Sequence, residues 1–119
     1  MLMQLGAFYW EQGMHDAALA RLEEGLGMQR RLHPEKTVTE GQFLEDIGKI
    51  YAHQGKLDDA LGIFQKARRI FRKIMGSDSS HMASVLLQIA DVLMQQGKLD
   101  DATKEFEKAS GIQRRLRGD

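Results

Sequence analysis

The stretch Gln54-Gly55-Lys56-Leu57-Asp58-Asp59-Ala60 returns unchanged at Gln96–Ala102. A third version, Gln12-Gly13-Met14-His15-Asp16-Ala17-Ala18, stands one equal interval upstream and keeps the Gln-Gly pair, one Asp and the last Ala. The interval is 42 residues, and laying the chain over itself at that spacing aligns far more than the heptad. Leu2, Leu44 and Leu86 share a column, as do Leu5, Ile47 and Ile89, then Gly6, Gly48 and Ala90, and Tyr9, Tyr51 and Leu93. Beyond the turn come Ala18, Ala60 and Ala102; Leu22, Phe64 and Phe106; Gly25, Ala67 and Ala109; and Met28, Ile70 and Ile112. Large residues meet large ones and small meet small, as repeated close packing requires.

Within each unit the apolar spacing is helical. Leu44, Ile47, Ile50 and Tyr51 form one run, and Leu57, Leu61, Phe64, Ala67, Ile70, Phe71 and Ile74 form the next. Between them the glycine of Gln54-Gly55-Lys56 stops one helix, and Asp58 is placed to cap the following one. The reading is an all-α fold of six helices at about 1–12, 16–32, 38–54, 58–75, 80–96 and 100–116. The units break at His33-Pro34-Glu35-Lys36 and at Gly76–Ser80, which are rich in turn formers. A lone helical hairpin cannot bury its apolar face, whereas a stack can. The expectation is therefore one domain, residues 1–119, a right-handed superhelix of three hairpins with repeats at about 1–33, 34–75 and 76–117. Neither end carries an extra polar helix, which suggests a piece of a longer array or faces covered by another chain.

Composition narrows the function. The 17 basic and 17 acidic side chains cancel, which argues against a nucleic-acid partner. There is no cysteine, so disulfides and thiolate chemistry are excluded, and a reducing, cytoplasmic setting is expected. Met1–Trp10 is apolar but lacks a basic start, and Glu11 ends the run too early for a membrane span. No membrane, metal or cofactor is expected. His15, His33, His53 and His81 are scattered, without the spacing of a metal or catalytic set, and Ser79-Ser80-His81 are mere neighbours in a linker. The glycines lie in helix and turn columns rather than in a phosphate-binding loop. The chain reads as a non-enzyme.

The columns resemble the tetratricopeptide repeat. Leu44, Ile47, Gly48, Tyr51, Gly55, Ala60, Phe64 and Ala67 take the pattern's places in the second unit. Leu86, Ile89, Ala90, Leu93, Gly97, Ala102, Phe106 and Ala109 do so in the third, and Leu2, Leu5, Gly6, Tyr9, Gly13, Ala18, Leu22 and Gly25 in the first. The repeat length is similar to the 42-residue subtype of kinesin light chains, whose turn reads QGKYEEA. That subtype's linker reads LGxDHPxVA, and Met75–Ala83 has Ser79-Ser80 in place of its His-Pro.

The resemblance implies a scaffold or adaptor that takes a peptide or helix in a concave groove lined by the first helix of each hairpin. Carried onto this chain, the groove comprises Met3, Ala7, Trp10 and Glu11; Gln42, Glu45, Lys49, Ala52 and His53; and Ser84, Leu87, Asp91, Met94 and Gln95. Acidic Glu11, Glu45 and Asp91 face a single Lys49, which is not the cationic set that clamps a chaperone's C-terminal carboxylate. Trp10 reads either as a groove anchor or as a packing residue, and Leu87 with Met94 as an apolar patch or as stacking contacts. Arg30-Arg31, Arg68-Arg69, Arg72-Lys73 and Arg114-Arg115 gather toward the ends of the second helices. They complement the helix dipole, and stacked together they would also form a basic ridge. The alternative to an adaptor is a self-assembling segment of a longer array that forms homo-oligomers through its terminal repeat faces.

Overall fold

A computed structural model describes residues 2–118, with side chains from Glu11 onward. It contains five helices: α1 Leu2–Leu32, α2 Val38–His53, α3 Leu57–Met75, α4 Ser80–Gln95 and α5 Leu99–Arg117. α2 with α3 and α4 with α5 are antiparallel hairpins, and their boundaries agree with the sequence reading to within a residue. The all-α stack of hairpins is therefore the fold.

The repeated heptad makes the turn. Gln54 caps α2, Gly55 adopts φ +79°, and the Lys56 and Gly55 amides donate to the carbonyls of Tyr51 and Ala52. Gln96, Gly97 and Lys98 repeat the geometry on Leu93 and Met94. This is the two-bond glycine termination of a helix, and it needs a residue that tolerates the left-handed region. Lys56 Nζ lies 5.6 Å from the centre of the Tyr51 ring and covers the turn. The structure corrects one detail: Lys56 and Lys98 occupy the cap positions without a side-chain bond. Asp58 and Asp100 lie in the first helical turn instead, where a carboxylate favours the helix dipole. True side-chain caps start α2 and α4, where Thr37 Oγ1 accepts from the Glu40 amide and Ser79 Oγ from the Met82 amide, each at 3.1 Å.

The first expected hairpin is absent. α1 runs unbroken through Gln12-Gly13-Met14-His15, so the described residues form five helices rather than six. Gly13 is not among the glycines with positive φ. Compared with the other turns, His15 replaces the leucine and Ala17 replaces the second aspartate. Those substitutions remove an apolar residue, half-buried as Leu57, and a first-turn acid and add a strong helix former, so continuation competes with the break.

Packing follows the columns. Phe64 and Phe71 are fully buried, and each ring lies where a side chain on Gly48 or Gly41 would stand; an added Cβ would meet them at 2.6 Å and 2.5 Å. Seven residues on in α3 matches seven back in α2, so the two contacts fix one antiparallel register. Phe43 plays the corresponding part against Gly25 of α1. The core continues through Val85, Leu86, Ile89 and Val92 of α4 to Ala102, Ala109 and Ile112 of α5. Besides sequential neighbours, the backbone of α2 also approaches that of α4, whereas among the described residues the backbones of α1, α3 and α5 stay farther apart. The layer containing α2 and α4 is therefore the tighter one, and the molecule curves toward it. The 23 Å thickness corresponds to two helix layers.

Candidate functional site

The concave layer carries a trough in two parts that share Lys49. One part, of about 410 Å³, is lined by Thr39, Gln42, Phe43, Glu45, Asp46, Lys49 and His81. The other, of about 530 Å³, lies between α2 and α4 and is lined by Lys49, Ala52, His53, Gln88, Asp91 and Gln95. α2 and α4 run side by side in the same direction, so residues one repeat apart, such as Lys49 and Asp91, arrive at neighbouring places.

Of the groove residues expected from sequence, Gln42, Lys49, Ala52, His53, Asp91 and Gln95 line this trough. Glu45 borders it but is buried, and its carboxylate accepts the Ser84 hydroxyl at 2.7 Å. That bond joins α2 to α4 and occupies two expected ligand contacts with each other. Leu87 is half-buried and Met94 is exposed, and neither lines the trough. Glu11 belongs to a separate small cleft of about 130 Å³ with Gln12, His15, His53 and Gln54. The side chains of Met3, Ala7 and Trp10 lie outside the described residues.

Five lining residues, Thr39, Phe43, Asp46, His81 and Gln88, were not among the expected set, and Asp46 and Gln88 are the pair that flanks Lys49 and Asp91. These two share a column one repeat apart, and that repetition was the signal available to find them. The trough's polar network is loose: Lys49 Nζ stands 3.9 Å from Asp46 and Gln95 Nε2 donates to Asp91 at 3.2 Å. Exposed carboxylates of Asp46 and Asp91 outnumber the one lysine, so the trough has an acidic bias. Three histidines also make ring contacts. His15 and His53 rings lie 5.9 Å apart across α1 and α2, and His81 stacks on buried Phe71 at 5.0 Å. Ser79 is buried, and its hydroxyl oxygen accepts from the Met82 amide as the cap of α4. Among the described residues no three His, Asp or Glu side chains gather as a metal site.

The opposite face holds the basic ridge in two clefts. Arg30, Lys36, Lys66, Arg69 and Lys73 surround a cleft of about 240 Å³ whose floor includes Leu44 and Ile70. Its one acid, buried Glu40, holds Lys36 Nζ at 2.9 Å and Arg30 Nε at 3.6 Å. A second cleft is bordered by Arg68, Arg72, Arg114 and Arg115. There Arg115 makes two parallel 2.8 Å bonds to Asp78 in the linker before α4. That guanidinium holds the Asp78 carboxyl below the ordinary carboxylate range, and the carboxylate raises Arg115 in return.

No helix among the described residues is long and apolar enough to cross a membrane. None of the curated proteins matches the chain. Among solved structures, a kinesin-light-chain-like protein of Podospora anserina with nearly identical TPR-like repeats superposes with TM-score 0.73 at 16% identity, over 98% of this chain and 55% of that one. BtubC (BKLC) from P. vanneervenii gives TM-score 0.65 at 19% identity, over 98% of this chain and 43% of that one. At such identities the likeness is one of fold, and this chain spans about half the length of either structure. The tetratricopeptide repeat family model matches twice, over residues 1–73 and again over 39–115, in step with the internal repeat. Turn, column and fold thus converge on one conclusion: the chain belongs to the tetratricopeptide repeat family.

Proposed function

We propose that the protein is a non-enzymatic adaptor that holds an extended peptide or a helix along the trough between α2 and α4. The observation that carries this reading is the continuity of the trough across two repeats, with Lys49 common to both parts. Its floor is set by the buried Glu45–Ser84 bond, so the surface is preformed and a ligand need not order it. The exposed carboxylates of Asp46 and Asp91 favour a peptide bearing lysine or arginine, whose head groups would find partners while its backbone meets Gln42, Gln88 and Gln95. Membership of the 42-residue subtype, a single unit over residues 1–119 and a cytoplasmic setting accord with this reading. The distant kinesin-light-chain-like structure supports the first, and the absence of cysteine fits the last.

The test is fluorescence anisotropy with a labelled lysine-containing decapeptide library. Asp46→Lys with Asp91→Lys is expected to weaken the best binder at least tenfold, while the exposed, remote Glu23→Lys with Glu24→Lys leaves it within twofold. Equal affinity for all three proteins would reject the groove as the site.

A further inference from the structure

The basic cleft between α1, α2 and α3 is not explained by helix-dipole complementation alone. Lys66 sits in the middle of α3, and Lys36 precedes the Thr37 cap of α2, where the dipole disfavours a cation. Lys66, Arg69 and Lys73 are exposed and make no ion pair among the described residues. The cleft thus presents an excess of positive charge around an aliphatic floor of Leu44 and Ile70, and its complement is an aliphatic side chain followed by acids.

This chain displays that complement elsewhere. At the start of α5, Leu99 is 62% exposed, and Asp100 and Asp101 beside it are exposed. The matching segment of the previous repeat is engaged: Leu57 is half-buried and Asp58 accepts from Gln96 Nε2 at 2.8 Å. Among the described residues, therefore, one copy of the heptad is joined to the repeat after it and one copy is open.

We infer that the occupant of the basic cleft is a second copy of this chain, entering with Leu99-Asp100-Asp101. Leu44 and Ile70 are already buried, so the contact rests on the two carboxylates pairing with Arg69, Lys73 and Lys66, with Leu99 lying on the cleft between them. The cleft lies along the second half of α3 and the turn at the start of α5, so the two surfaces share no residue. One protomer can use both at once, so the contact is head-to-tail and propagates into chains or a ring. A formal charge of zero assembled from segregated charges removes the long-range repulsion that would oppose this association. The contact is small, which places it among weak, reversible interfaces that depend on salt.

Sedimentation velocity over a concentration series up to millimolar protein tests the contact. The wild-type weight-average mass is expected to rise above the 13.5 kDa monomer and to return to it on adding salt. Arg69→Glu with Lys73→Glu is expected to remain monomeric, as is Asp100→Lys with Asp101→Lys. An equimolar mixture of these two variants should associate again, because the lysine-bearing turn meets the glutamate-bearing cleft and the two unaltered surfaces still match. Arg21→Glu with Arg114→Glu, which changes total charge as much as the cleft variant, should associate like the wild type. Circular dichroism melts establish that each variant is folded. A wild type that stays monomeric throughout, reversed variants that associate unchanged, or a mixture that fails to recover would each overturn the inference.

Discussion

The α2–α3 hairpin and the α1 helix are written with the same columns and fold differently. In α3, Ala60, Phe64 and Ala67 are fully buried; in α1 the matching Ala18, Leu22 and Gly25 are only half-buried. The difference starts at the turn. Gly55 takes the left-handed conformation and lets two amides return to the helix end, while Gly13 carries on as helix. Without the return there is no first helix lying on residues 16–32, and α2 alone covers that surface. A repeat motif specifies its columns locally, but their burial depends on whether the turn brings the second helix back.

The largest expected effect sharpens this contrast. Phe64→Ala empties a site fully enclosed between α2 and α3 and should cost about 3–5 kcal/mol, read as a lower urea midpoint. Leu22→Ala, in the same column, should cost less than half as much because the side chain already touches water. Equal losses would mean that residues 16–32 are covered as fully as α3, and the continuous α1 would have to be abandoned.

The next test addresses the turn itself. At φ +79°, Gly55→Ala forces an alanine into the left-handed region and should destabilise by about 1 kcal/mol. Gly13→Ala meets nothing within 4 Å and replaces a helix-interior glycine, so it should stabilise by about 0.5–1 kcal/mol. The two substitutions share a column and are expected to differ in sign in chemical denaturation. A Gly13→Ala variant that loses stability as Gly55→Ala does would show that the first turn closes in solution.

Most of the fold was legible because most of it is local. The glycine stop and the recurring Leu, Gly, aromatic and Ala columns placed α2 to α5 to within a residue of their limits. The first turn failed because three of its seven residues, Met14, His15 and Ala17, shift a competition between stopping and continuing that the repeat as a whole had appeared to settle. The groove was legible as a set of columns, and Asp46 and Gln88 could have been added by the same rule. The pairing of Glu45 with Ser84 was not legible. Both residue types normally signal exposure, and their 39-residue separation becomes contact only after α2 and α4 are stacked. A polar residue in a groove column can be ligand contact or buried strut, and only the packing of the neighbouring repeat decides.

The smallest expected effect separates the two linkers. The first is held from within by buried Glu40, which gathers Lys36 and Arg30. The second is held from outside, by Arg115 of α5 reaching back to Asp78. Because Arg115 lowers the Asp78 carboxyl relative to the unfolded chain, the bond's contribution is full above the ordinary aspartate value of about 3.9 and disappears as pH falls through the lower folded value. Arg115 stays protonated across that window, since its own shift is upward. A carbon-detected NMR titration should therefore place the Asp78 midpoint below about 3.9 and return it there in Arg115→Ala. The melting temperatures of wild type and Arg115→Ala should differ slightly near neutral pH and converge once Asp78 is protonated. Both groups are exposed, so the difference should also shrink with added salt. A gap that persists in acid would assign the stabilising role of Arg115 to the packing of its aliphatic stem against the linker, and the second boundary would then be held, like the first, by burial as much as by charge.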